Sequence, residues 1–128
     1  MDAENILNDS AKEAEVLLNN PSKVDEVLTQ MEEKLRKVPA LGNTLGDTTL
    51  MIQMIKSYIT KQYTNVSGKV IVTMVGACLY CVKKRDLIPD NKPIIGLVDD
   101  LAVLSLALKI NNKELEEFKK WRSENYNM

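Results

Sequence analysis

The sequence predicts an all-α protein, a compact bundle of about five to six helices around a central apolar helical hairpin. Apolar residues make up 45% of the chain but aromatic residues only 5%, so the core must be built from aliphatic side chains, which suits helices. Five glycines and four prolines are too few for a turn-rich β fold. Apolar residues also recur at helical spacing along most of the chain. The length suits a single domain, which we assign to residues 1–128.

The first two helices are predicted by amphipathic patterns. Apolar residues at i, i+4 and i+7 form one stripe across residues 2–18. Asn20 can cap a second helix that has Pro21 at its first position and ends before Pro39. The apolar stripe of that helix consists of Val24, Val27, Leu28, Met31, Leu35 and Val38. The charged residues predicted for its outer face are Asp25, Glu26, Glu32, Glu33, Lys34 and Lys37.

The third and fourth helices are expected to form the middle of the bundle. The third covers about residues 44–63 and turns an aliphatic face inward. That inward set is Leu45, Met51, Ile52, Ile55, Tyr58 and Ile59. Ser67 can cap the fourth helix, about residues 68–84, which is apolar nearly all round and therefore belongs at the centre. Gly76 and the two residues after it, Ala77 and Cys78, form a small-residue patch that permits close approach by the third or fifth helix.

The segment from Asp86 to Pro93 is expected to be a rigid connector, because its two prolines rule out a continuous helix. A fifth helix then covers about residues 94–110 and is apolar except for Asp99 and Asp100. The fourth and fifth helices, joined by this connector, make the apolar hairpin.

The last helix is predicted from its start signal and two large aromatic residues. Asn111 can cap it, with Glu114 three residues later in a capping-box arrangement. Phe118 and Trp121 are expected to face inward and close one end of the core.

Charge and composition exclude several function classes. Seventeen basic against eighteen acidic residues leave a net charge of -1, without the basic face that nucleic-acid binding requires. The chain has no histidine, which removes the commonest general base and zinc ligand. Its start is acidic and polar, unlike a secretory signal, and no apolar run reaches the roughly 18 to 20 residues of a spanning helix. We therefore expect a cytoplasmic protein without a cofactor, and a non-enzymatic role.

Aspartate, proline and glycine residues are concentrated in and around the connector. The pattern reads D-L-I-P-D, a short spacer, then P-x-x-G-x-x-D-D. The residues that carry it are Asp86, Pro89, Asp90, Pro93, Gly96, Asp99 and Asp100. This pattern, across about residues 68–110, resembles the signature of the YkvA-like or DUF1232 family. The chain has Lys84 where the family commonly has proline, and Asn91 where it commonly has an aromatic residue. The resemblance implies a helical fold and no established activity. Some relatives occur within membrane proteins, which implies that peripheral membrane contact is an alternative.

The four aspartates of the signature permit two interpretations. Asp86, Asp90, Asp99 and Asp100 flank the connector, and a hairpin would bring its two ends together. Carboxylates are suitable ligands for magnesium, calcium or manganese, so the four are candidates for one divalent metal site. Alternatively they hold the turn, by accepting backbone N–H bonds, and one of them faces inward to pair with a base. The candidate bases are Lys56, Lys84 and Arg85.

Cys78 and Cys81 form a C-x-x-C pair in the middle of the apolar fourth helix. A redox dithiol normally lies at a helix N-terminus, where the dipole lowers the pKa of the thiol. We therefore predict two small core residues with no redox role.

Three function hypotheses follow. The first is a non-enzymatic interaction or regulatory module that binds another protein, for example a neutralising partner of the immunity type. The second is a membrane-associated module that uses the apolar helices 68–84 and 94–110. The third is a divalent-metal-binding or hydrolytic domain built on the four aspartates.

Overall fold

The residues described in a computed structural model of the chain form six helices. The structure describes residues 3–37, 45–87 and 93–126, and within them the side chains of 3–37, 46–82 and 102–125. The elements in chain order are α1 (Ala3–Leu17), α2 (Pro21–Lys37), α3 (Leu45–Ile59), α4 (Gly68–Leu87), α5 (Pro93–Ile110) and α6 (Asn112–Tyr126). These described ranges contain no strand, which confirms the predicted all-α class and the helical bundle.

The apolar helix α4 lies at the centre, as its sequence predicts. It packs against α1, α2, α3 and α5, and its contact with α1 is the most extensive in the fold. Six of its described side chains are completely buried: Ile71, Met74, Val75, Ala77, Cys78 and Cys81. Ser67 caps the helix, because its hydroxyl accepts a hydrogen bond from the Val70 N–H at 3.3 Å.

Helix α1 makes the close approach to Gly76, where the expectation named α3 or α5, while α5 does contact the patch at Ala77. A Cβ atom added to Gly76 would lie 2.8 Å from the backbone nitrogen of Ala11 and 3.0 Å from its Cα. Ala77 is buried in a separate cluster with Leu7 of α1 and Val103 of α5. The patch serves close packing, but the backbone it admits is that of α1.

Several helix ends differ from the predicted ones. α4 continues to Leu87, so Asp86 lies within a helix and not in a connector. α3 ends at Ile59, four residues before its predicted end. Lys61 adopts a left-handed conformation with φ 64°, and the Gln62 N–H reaches back to the Ser57 carbonyl at 2.8 Å. This is a Schellman-type end with lysine where glycine is usual, which is why the sequence did not reveal it.

Asn111 ends α5 as well as preceding α6. Its side-chain amide donates to the Ala107 carbonyl at 2.9 Å, one turn back. Its own backbone carbonyl accepts from the Leu115 N–H at 3.0 Å. The side chain is therefore held toward α5, whereas the sequence suggested a capping-box role for it in α6.

Lys34 contradicts its predicted place on the outer face of α2. The residue is only 8% exposed, and its ammonium donates to the Cys81 carbonyl of α4 at 2.7 Å. Its position explains this, because Lys34 falls three residues after Met31 and so continues the buried stripe of α2. A buried lysine therefore joins α2 to the central helix.

Replacing Lys34 with methionine is expected to lower the free energy of unfolding by about 2 kcal/mol, the usual contribution of a buried hydrogen bond from a charged donor. Methionine retains the apolar stem, so the measurement isolates the ammonium. The matched control is Lys56→Met, which removes an ammonium bonded to Glu32 at the same 2.7 Å but at a site where the two side chains are 42% and 38% exposed. That change is expected to cost at most about 0.5 kcal/mol. Urea unfolding measures both; a Lys34→Met protein at least as stable as the wild type would contradict the assignment.

Candidate functional site

A groove between α3 and α6 is a concave site lined by described residues. It has a volume of about 820 Å³ and is open to solvent on one side. Arg122 of α6 donates to the side-chain oxygen of Gln53 of α3. Phe118, one turn earlier on α6, packs on Tyr63 just beyond the far end of α3, so the two walls run antiparallel. The described residues that line this α3–α6 groove are Gln53, Lys56, Ser57, Thr60, Gln62, Phe118, Lys119, Arg122 and Ser123.

Three aromatic rings fix the distance between the two walls. The ring centroids of Tyr63 and Phe118 lie 5.1 Å apart in an edge-to-face arrangement. Trp121 lies 5.0 Å from Tyr63 and 5.7 Å from Phe118, so each ring contacts the other two. Such pairs contribute about 0.5–1.5 kcal/mol each beyond the area they bury. The cluster therefore anchors α6 to the segment that follows α3.

Tyr63 reaches this cluster because α3 ends early. The left-handed Lys61 reverses the chain, and the Tyr63 N–H then donates to the Ser57 carbonyl at 3.1 Å. The Tyr63 side chain is 4% exposed. Burial, and secondly the negative charge of Glu117, raise the pKa of the Tyr63 phenol above its ordinary value. The Tyr63 ring is therefore neutral at physiological pH. Its role is structural, because it packs against Phe118 of the groove lining.

The charged side chains that line the groove, among the described residues, all have the same sign. Its nine described lining residues include three bases, Lys56, Lys119 and Arg122, and no acid. Glu32 contacts the Lys56 ammonium from outside the lining, in a part-exposed pair. Lys119 is exposed. The remaining lining is mainly amide and hydroxyl side chains, which donate and accept hydrogen bonds. The arrangement suits binding of an anionic group.

The signature residues fall partly inside the described backbone. Asp86 lies in α4, while Pro93, Gly96, Asp99 and Asp100 lie in α5. Pro89 and Asp90 lie outside the described residues, as do the side chains of all seven. The predicted convergence of the four aspartates, and with it the metal site, stays a prediction. Elsewhere, the side chains that the structure describes contain no group of three acidic or cysteine residues that could hold a metal ion.

Two predicted side-chain roles can be compared with the structure. Lys56, one candidate partner for an inward aspartate, is bonded to Glu32 of α2. Cys78 and Cys81 are free thiols with no exposed surface, as predicted for core residues. Burial raises the pKa of the Cys78 thiol to about 12, which is opposite to the change a reactive thiol requires.

The α3–α6 groove was not predicted from the sequence. Its bases lie on helices far apart in the chain, and each looks like an ordinary solvated charge. One local signal was present: Lys119 and Arg122 are three residues apart on a helix and so share a face. Gln53 and Lys56 have the same spacing on α3. Nothing in either segment indicates that the two faces meet.

The comparisons with known proteins agree with the signature. A family described as "Protein of unknown function (DUF1232)" matches residues 70–106, which include most of α4 and α5. The chain is also 35% identical, over 74 residues, to a protein of Bacillus subtilis (strain 168) named "Uncharacterized membrane protein YkvA". The aligned region covers 58% of this chain and 70% of that relative. The chain therefore belongs to the YkvA-like, DUF1232 family. No solved structure matches it.

The relative's name raises the question of membrane insertion. Within the ranges that the structure describes, none of the helices combines the length and apolar character needed to cross a bilayer.

Proposed function

We propose that this protein is a non-enzymatic, cytoplasmic interaction module that binds a partner protein in the α3–α6 groove. The observation that carries the proposal is the open cleft with three basic side chains contributed by two helices. Its volume of about 820 Å³ lies within the range of roughly 300–1,000 Å³ that is usual for pockets that hold small molecules. A regulator or an immunity-type neutralising partner are two forms that such a module can take.

The physical support lies in how the groove is built. The aromatic cluster of Tyr63, Phe118 and Trp121 fixes α6 relative to the end of α3. The site is therefore formed before a partner arrives. A preformed site avoids part of the ordering cost of association. Unpaired rim charges accelerate encounter with an oppositely charged surface, and the exposed Lys119 is placed for this role.

Site-specific photo-crosslinking in the host cell tests the proposal. A photoreactive residue at Gln53 or Ser123, on opposite walls of the groove, is expected to form an adduct with one discrete protein. The control position is Gln30 on the exposed side of α2, where no such adduct is expected. The adduct should disappear when Lys119→Glu and Arg122→Glu are combined with the photoreactive residue. Equal labelling at all three positions, or an adduct that survives charge reversal, would show that the groove is not the docking site.

Peripheral membrane association is the second candidate, and the name of the Bacillus subtilis relative favours it. The apolar hairpin of α4 and α5 is the segment that the family match covers. On this hypothesis the protein sediments with membranes from lysed cells and is released by alkaline carbonate. Recovery in the soluble fraction, at native expression level, would remove this candidate.

A further inference from the structure

We infer that the α3–α6 groove accepts a short, extended acidic segment of its partner, bound through carboxylates. This inference rests on the proposed function and specifies the chemistry of the occupant. Lys56 on one wall faces Lys119 and Arg122 on the other, so an occupant meets positive charge from both sides. Charge complementarity of this kind selects an anionic partner.

The dimensions favour a peptide segment over a small anion. Along α3 the lining residues extend from Gln53 to Thr60, which is about 10 Å at the helical rise of 1.5 Å per residue. An extended chain advances about 3.3 Å per residue, so the groove accommodates three to four residues. A lone phosphate would fill only a small part of a site of about 820 Å³. The Gln53 side-chain NH2, whose amide oxygen accepts from Arg122, can donate to the polar backbone that a peptide brings, and the Thr60 hydroxyl, which donates to the Lys56 carbonyl, can still accept from it.

The three basic side chains can bind such a segment with little loss of their present contacts. The Lys56–Glu32 pair is part-exposed, and exposed pairs contribute little to stability, so an incoming carboxylate can replace or share Glu32. A guanidinium carries five N–H donors in a planar fork, so Arg122 can bind a carboxylate while it donates to Gln53. Lys119 lies one turn before Arg122 on the same face of α6, so the two can bind carboxylates two residues apart, which an extended segment presents on one side.

The purified full chain can be titrated with an oligoglutamate peptide, with oligoglutamine as the uncharged control. Trp121, the single tryptophan, stacks against Phe118 beneath the groove and is a built-in fluorescent reporter. Oligoglutamate is expected to bind and oligoglutamine not to bind. Combining Lys119→Glu with Arg122→Glu should weaken binding by at least about tenfold. The double change Lys12→Glu and Lys23→Glu alters net charge equally on exposed faces of α1 and α2, and should leave affinity within about twofold.

Further titrations distinguish the acidic segment from other anions. Inorganic phosphate and phosphatidylglycerol vesicles are tested in the same buffer. Saturation by phosphate alone, or by vesicles without binding of oligoglutamate, would overturn the inference, as would equal loss of binding in the two double variants. An adduct in the crosslinking experiment together with no oligoglutamate binding would reject the acidic segment and leave the interaction module intact. Thermal unfolding of both double variants verifies that each is folded.

Discussion

Replacing Gly76 with alanine is expected to lower the free energy of unfolding by about 2 kcal/mol, although glycine-to-alanine changes inside helices ordinarily raise it by up to about 1 kcal/mol. The added Cβ would lie 2.8 Å from the Ala11 nitrogen, and the atom it meets is backbone that no rotamer change can move. Helix α1 must therefore shift away from α4. The sign of the change in the free energy of unfolding therefore tests this close approach.

Gly46→Ala provides the matched control, because a Cβ at Gly46 of α3 meets nothing within 4 Å. That variant is expected to be more stable than the wild type by about 0.5 kcal/mol. Hydrogen exchange should localise the effect of Gly76→Ala, with faster exchange in α1 and unchanged exchange in α6. A Gly76→Ala protein more stable than the wild type would mean that α1 does not lie against α4 as described.

Stability is expected to fall steeply in alkaline solution because Cys78 is buried as a neutral thiol. Its pKa is about 12 in the folded protein, against 9.0 as the ordinary value. The folded state therefore holds the proton more tightly, and the corresponding stability is fully present below pH 9 and lost as the pH rises toward 12. The slope is about 1.4 kcal/mol per pH unit across that window, so the total loss is on the order of 4 kcal/mol.

Urea unfolding at a series of alkaline pH values, under reducing conditions, measures this loss. The variant Cys78→Ala is expected to be less stable than the wild type at neutral pH, because it leaves a small cavity, and to lose stability less steeply above pH 9. Tyr63→Phe is a second control, since the raised pKa of Tyr63 adds its own loss above pH 10. Parallel curves for Cys78→Ala and the wild type would show that Cys78 does not ionise with the expected linkage.

The sequence predicted the helices better than it predicted their partners. The stripe of α2 and the Ser67 cap are local patterns; the cap is confirmed, and so is the stripe except at Val38, which lies outside the described residues. Which helix covers Gly76 depends on tertiary packing, and a small-residue patch admits any neighbour. The early end of α3 was missed because its left-handed residue is Lys61. Tyr63 was not included in the predicted core, although it falls four residues after the inward Ile59.

Residue type gave the wrong prediction for Lys34, which is buried. A lysine is usually assigned to the surface, yet its spacing from Met31 and Leu35 placed it on the buried stripe. Periodicity was the better guide there, because a long aliphatic stem can line a core while its ammonium finds a carbonyl. The α3–α6 groove could not be predicted at all, since its charges acquire meaning only when two distant helices meet.

Because α1 packs so closely on α4, the segment that the family match covers is not by itself a unit that can be transferred to another protein. The family match begins at residue 70, but the α4 surface within it is completed by residues near position 11, some sixty positions upstream. A fragment cut at the family boundaries would expose the apolar surface of α4 that α1 covers in the full chain. Grafting α4 and α5 into another protein therefore requires the recipient to supply a helix with a small residue opposite Gly76, in the place that Ala11 occupies here.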